Sequence, residues 1–355
     1  MILKLQPSQI EGKLPIKAER PILISRNGLD MLANIRLANG RSAVGSCMRC
    51  PLPPCQKYGP TEIEHNYFPD FPAEIATKVC PTDAIQLEVN NGIPIIIADR
   101  CILCGLCVER CPVQAIVLTE KGPKINDTEN DLFKLTGKSV DKTEVAAVTE
   151  YFLTLPVKGV IAECNDKFAT SVYERISKVG MSTHAQFPNT LARNLMNALA
   201  VPFQIRRLGD TNIRIDGVFK SANGRIGVAE IEFSDAAILD SPRDILDDCA
   251  VLNSRHAFPV QKIDPLIITL RLPNRRSEYW RVIQDIANVL DMKIASITIG
   301  AMLHMLWINH KLVMNPWTNF YADTDSPTIE PAMRDILKGD VCAAGAALGW
   351  YGSIK

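Results

Sequence analysis

The stretch that most constrains this chain is residues 101–112. It reads Cys101-Ile-Leu-Cys104-Gly-Leu-Cys107-Val-Glu-Arg-Cys111-Pro112. Three thiols with two-residue gaps demand a tight loop that turns three sulfurs to one side. Gly105 permits backbone turns closed to other residues. Pro112 lacks an N–H and stiffens the exit. A second set lies upstream: Cys47-Met-Arg-Cys50, then Cys55, then Cys80-Pro81. The two exits repeat each other, Cys80-Pro-Thr-Asp-Ala-Ile85 beside Cys111-Pro-Val-Gln-Ala-Ile116.

Paired Cys-x-x-Cys also suits structural zinc. Proline after both terminal cysteines and the repeated Ala-Ile favour an iron–sulfur cluster instead. The internal repeat resembles the two-cluster bacterial-type ferredoxins over residues 45–118. In that family the fourth cysteine of each run ligates the other cluster. The resemblance therefore implies one 4Fe–4S cluster on Cys47, Cys50, Cys55 and Cys111, and another on Cys101, Cys104, Cys107 and Cys80. The first run departs from the pattern, with a longer third gap (Pro51-Leu-Pro-Pro54) and a loop of about two dozen residues before Cys80.

Eight of the eleven cysteines fall in these runs. Cys164, Cys249 and Cys342 are scattered and read as small buried hydrophobes. Net charge is zero, from 39 basic and 39 acidic residues, so no basic domain announces nucleic acid and only a local basic groove is left for it. The most apolar run, residues 294–308, is too short to span a membrane and reads as core. Nothing at the N-terminus resembles a signal peptide, so a cytoplasmic, reducing compartment is expected.

The expected organisation is an N-terminal arm over 1–44, the cysteine module over 45–118 and a polar, turn-rich linker over 119–150. A second domain follows over 151–310, with a C-terminal extension over 311–355. In the second domain Phe168, Val172, Ile176 and Val179 mark an amphipathic helix ending at Gly180. Residues 189–200 form a second helix with Asn189 as cap. Strands follow over 203–208, 211–219 and 225–233, the last two joined by an Asn223-Gly224 turn. Ser241-Pro242 opens a helix, with serine as its cap. Residues 265–270 are a central strand, Tyr279 to Leu290 a helix, and 295–300 a last buried strand.

Two of those strands carry acids. Asp216 ends Asn212-Ile-Arg-Ile-Asp216, and Glu230 and Glu232 lie on Gly227-Val-Ala-Glu-Ile-Glu-Phe233. Side chains alternate along a strand, so Glu230 and Glu232 share a face, and the hairpin brings Asp216 beside Glu230. Such carboxylates repel one another unless a cation neutralises them, and oxygen-rich clusters suit Mg²⁺ or Mn²⁺. The arrangement resembles the PD-(D/E)xK nuclease superfamily, whose core runs helix, three strands, helix, strand. The resemblance implies Asp216 and Glu230 as metal ligands, with Glu232 where the family usually carries lysine. Glu163 reads as a solvated glutamate. His65, His184, His256, His304 and His310 show no metal spacing. Arg206, Arg207, Arg271, Arg275 and Arg276 flank the expected sheet.

The expectation is thus an α+β chain: a ferredoxin-like two-cluster module, then an α/β restriction-endonuclease-like domain with a mixed central sheet. Its first implied function is divalent-metal-dependent cleavage of DNA, by analogy in host defence, with Asp216, Glu230 and Glu232 catalytic. The second is electron transfer or redox sensing with a partner protein, the C-terminal domain serving as a non-catalytic binding module.

Overall fold

The computed structural model describes residues 47, 53–88, 94–111, 114–119, 121–125, 160–221, 224–312, 317–339 and 341–354. The expected arm, most of the expected linker, Cys50, Pro112 and Asn223 lie outside the described residues. Two small hairpins follow the two Cys-Pro exits. β1 (Ile85–Leu87) pairs antiparallel with β2 (Pro94–Ile96), and β3 (Ile116–Thr119) pairs antiparallel with β4 (Gly122–Ile125). β4 falls in a stretch whose turn-rich composition reads as linker. Its pairing with the Ala-Ile exit makes it the counterpart of β2. Between the hairpins, the cysteine loop runs into the short helix α1 (Leu106–Glu109).

The remainder is a five-stranded mixed sheet with helices. β5 (Phe203–Ile205), β6 (Gly217–Lys220) and β7 (Ile226–Glu232) are antiparallel neighbours. β8 (Ile263–Thr269) and β9 (Ala295–Thr298) add on parallel. Spatial order follows chain order, because each parallel step is a crossover through a helix. These are α4 (Ser241–His256) between β7 and β8, and α5 (Glu278–Leu290) between β8 and β9. α2 (Asp166–Arg175) and α3 (Phe187–Ala198) precede the sheet, and α6 (Ile299–Trp307) follows β9 directly. α6 is buried along its whole length, as the apolar run 294–308 requires. α7 (Glu330–Leu337) and α8 (Ala343–Ala347) belong to the C-terminal stretch. That stretch is core, since Trp350 and Tyr351 are fully buried.

Several boundaries differ from those the sequence implies. The first helix does not stop at Gly180: it widens into a π turn (Ile176–Gly180) and continues to Thr183. A Cβ on Gly180 would lie 2.2 Å from the Phe187 ring, so this glycine serves close packing rather than termination. α3 begins at Phe187 with Pro188 in its first turn, not at an Asn189 cap. Asp240, not Ser241, is the residue before α4. β6 is shorter than its apolar run. Its ladder reaches back by one further bond, Arg206 N–H to the Asp216 carbonyl at 2.9 Å.

The long loop between Cys55 and Cys80 lies along the edge of β5. Glu74 N–H donates to the Ile205 carbonyl and Arg207 N–H to the Pro72 carbonyl, each at 2.8 Å. An open sheet edge is thereby covered, and the cysteine module and the sheet share one hydrophobic core.

Candidate iron–sulfur site and acidic cleft

The two Cys-Pro exits end alike. Asp83 and Gln114 both adopt positive φ, 53° and 55°. The next residue in each then donates to the cysteine: Ala84 N–H to Cys80 Sγ and Ala115 N–H to Cys111 Sγ, both at 3.2 Å. In the loop between the hairpins, Leu103 (φ 61°) and Gly105 (φ 85°) are left-handed. Leu103 N–H donates to Cys101 Sγ at 3.4 Å. A Cβ on Gly105 would crowd Ile161, Leu118 and Trp307 at 3.3–3.4 Å.

These turns bring Cys80, Cys101, Cys104 and Cys107 to the wall of one cavity, closed by apolar side chains that include Ile85, Ile96 and Ile102. Burial pushes the thiols of Cys101, Cys104 and Cys107 up, and the neighbouring sulfurs add to it. Thiols raised in this way would give up protons to a metal group that took them. Among the described residues no three His, Cys, Asp or Glu side chains close on a single metal ion. A cavity ringed by sulfurs suits a polynuclear cluster rather than one zinc. Cys47, Cys55 and Cys111 are buried as well, and Cys55 acts electrostatically on Cys107. Arg110 braces this half. It grips Glu62 through two N–H···O bonds of 2.6 and 2.9 Å, donates to the Pro54 carbonyl at 3.2 Å, and stacks over Tyr58.

The cysteine loops are irregular, so their carbonyls need donors from elsewhere. The helices and loops after residue 160 supply them. Trp307 Nε1 donates to the Cys104 carbonyl at 3.0 Å, and Arg175 to the Cys101 carbonyl at 2.8 Å. Asn194 and Arg193 donate to the carbonyls of Val79 and Ala76 at 2.7 and 2.8 Å, and His184 Nε2 to that of Pro81 at 3.1 Å. None of these five contacts is legible from cysteine spacing.

The acids meet elsewhere. Asp216 immediately precedes β6, and Glu230 sits on β7 one register step beyond the Gly217–Ala229 pair. Both line a cleft of about 630 Å³ together with Asp244, Asp247 and Asp248 of α4. Asp216 accepts from Ile231 N–H at 3.2 Å and Arg206 at 3.4 Å. Burial nevertheless raises its carboxyl above the usual range. Glu230 is pushed up to about 9 by burial and then by Asp216 and Asp248. Asp248 is pushed up to about 8 by burial and then by Asp216. Asp248 is only 4% exposed and its Oδ2 has no hydrogen-bond partner among the described residues. Glu232 does not line the cleft; its carboxylate accepts from Ser234 N–H at 2.6 Å. Glu163 is exposed. Asp248 escapes a reading of strands alone, yet its signal is present. It falls in phase with Ile245, Cys249 and Leu252, all buried, where an apolar residue belongs.

The comparisons speak to the cysteine module. Residues 94–117, spanning Cys101, Cys104, Cys107 and Cys111, match the 4Fe–4S binding domain family. The chain carries a ferredoxin-type 4Fe–4S module. An uncharacterized ferredoxin of Methanocaldococcus jannaschii is 33% identical over 75 residues, 21% of this chain and 34% of that protein. The iron–sulfur subunit of formate dehydrogenase-O from Escherichia coli is 26% identical over 102 residues, 29% of this chain and 31% of the subunit. The match thus spans about a third of the length of these relatives. No solved structure matches the chain. Among the described residues no helix is long and apolar enough to cross a membrane.

The cleft acids make stability depend on pH. Glu230 and Asp248 start from ordinary values of 4.5 and 3.8, so between pH 4.5 and about 9 the folded state holds protons that the unfolded chain has lost. Stability therefore falls as pH rises through this window in a metal-free buffer. Denaturant unfolding across it should show that fall, and Glu230→Gln should flatten it.

Proposed function

We propose that the chain is an electron-transfer protein holding two 4Fe–4S clusters. One sits on Cys101, Cys104, Cys107 and Cys80, the other on Cys47, Cys50, Cys55 and Cys111. The observation that carries this reading is that Cys80, from the far exit, lines the same cavity as the first three cysteines of the second run. That is the crossed pattern in which the fourth cysteine of one run serves the other cluster. Such clusters take up and give back single electrons. The chain's own contribution is to bury them, to direct N–H groups at their sulfurs, and to fix the loops through the second domain. A redox partner protein would dock on the module.

Anaerobically purified protein should contain about eight iron and eight sulfide per chain and undergo reversible low-potential reduction. Cys101→Ser should cost one cluster, whereas Cys249→Ser, which alters a thiol buried in α4, should leave the iron content unchanged. Zinc in place of iron, or about four irons, would contradict the two-cluster reading.

A second reading concerns the cleft and is favoured by one observation: the acids converge there with their carboxyls held above the usual range. The helix, three strands, helix, strand order is the one implied by the resemblance to the PD-(D/E)xK nucleases. Asp216 and Glu230 are the carboxylates that would hold a Mg²⁺ or Mn²⁺ ion, and the unpartnered Asp248 Oδ2 lies in the same cleft. A bound cation would polarise a scissile phosphate of DNA. Arg206 and Arg214, which line the same cleft, would hold phosphate oxygens. Wild-type protein should then cleave DNA only with Mg²⁺ or Mn²⁺, Glu230→Gln should abolish cleavage with clusters intact, and Glu232→Lys should preserve or raise it. Neither cleavage nor cation binding by the wild type would reject this reading.

A further inference from the structure

Two cysteines outside the cluster module are brought together by the fold. Cys164, just ahead of α2, and Cys342, just ahead of α8, are 178 residues apart in sequence, and their sulfurs stand 2.9 Å apart. Asp166 locks the two segments, accepting from Ala344 N–H at 2.7 Å. Both thiols are half-buried, so the pair is held by the core yet open to solvent. Among the described residues no third His, Cys, Asp or Glu joins them in a metal-binding group. The hydrogen bond between the two sulfurs lowers the Cys342 thiol and raises the Cys164 thiol.

A line of rings connects this pair to the cysteine loop. Trp307, bonded to the Cys104 carbonyl at 3.0 Å, lies 6.3 Å from Trp350, and Trp350 lies 6.4 Å from Tyr351. The Tyr351 hydroxyl is 3.8 Å from Cys342 Sγ and 2.6 Å from His304 Nδ1. Glycines let the rings close in: a Cβ on Gly300 would meet Trp350 at 2.0 Å, and one on Gly345 would meet Tyr351 at 2.7 Å. Electron tunnelling falls steeply with distance, and the packed rings fill the path with a continuous medium for it without themselves being oxidised or reduced.

We propose that Cys164 and Cys342 form a reversible dithiol–disulfide centre that exchanges electrons with the cluster module along Trp307, Trp350 and Tyr351. This rests on the electron-transfer reading of the module. In the reductive direction, the Cys164–Cys342 S–S bond takes two electrons, one at a time, from reduced 4Fe–4S clusters. One proton comes from solvent. The bond breaks to give the Cys342 thiolate and the Cys164 thiol, and the donors return to their oxidised level. The substrate class is a disulfide, of a small molecule or a partner protein. The Cys342 thiolate attacks one substrate sulfur and expels the other as a thiolate. Cys164 then gives its proton to solvent and attacks the Cys342 sulfur, releasing the second substrate thiolate and restoring the internal S–S bond.

The test uses the full-length protein with its clusters in place. It is treated anaerobically with diamide, freed of reagent, and checked for unchanged cluster absorbance. Peptide mapping should find a Cys164–Cys342 disulfide. On photochemical reduction the treated wild type should take up about two electrons per chain more than the Cys164→Ser/Cys342→Ser protein. Alkylatable Cys164 and Cys342 should appear after the clusters bleach. Absence of the disulfide, or equal uptake by the two proteins with reducible clusters, overturns the proposal. Clusters that accept no electrons at all, in wild type and variant alike, instead sink the electron-transfer reading on which it stands.

Discussion

The hydrogen bond from the Trp307 indole to the Cys104 carbonyl joins the two halves of this molecule. A loop that must present several sulfurs to one cavity cannot also satisfy its own backbone, because its residues are neither helical nor paired in a sheet. Its carbonyls stay strong acceptors and are costly to bury alone. Trp307 and Arg175 complete the Cys101–Cys104 segment, and Arg193, Asn194 and His184 complete the approach to Cys80. The helices that follow are therefore the scaffold that fastens the Cys80 cavity. β1 to β4 are short, and α2, α3 and α6 supply the donors to the cysteine loops.

The same logic accounts for the long loop between Cys55 and Cys80. Its aromatic residues pack on the second domain, Phe68 against His256 with ring centroids 4.3 Å apart. Its backbone caps the edge of β5. What looks in the sequence like an interruption of the ferredoxin spacing is the strap that fastens Cys80 to the sheet.

Local chemistry was legible in the sequence and long-range docking was not. The repeated Cys-Pro-x-x-Ala-Ile exits end in the same positive φ and the same N–H to sulfur bond, because the constraints act within six positions. Alternation along β7 puts Glu230 beside Asp216, since a hairpin fixes its own register. Gly180 misleads, because a glycine that admits a neighbouring ring has the same letter as one that ends a helix. Asp248 needed the helical phase of α4, with the knowledge that this face meets the acids. Cys164 and Cys342 read as isolated buried thiols, because their meeting depends on how the C-terminal stretch returns to α2. Carboxylates crowded under α4 and thiols paired beside Tyr351 are both costly to leave uncompensated, and both stand where the fold departs from what local pattern alone would build.

The cysteine loops and the sheet with its helices are tied into one unit through Trp307, Arg175, Arg193 and Asn194. Denaturant unfolding of anaerobic protein, followed at once by cluster absorbance and by tryptophan fluorescence, tests it most directly. All four tryptophans lie outside the cysteine module. The account predicts superimposable transitions by both probes, because neither half keeps its structure without the other. Clusters lost well before the fluorescence transition, or retained well beyond it, would contradict the account.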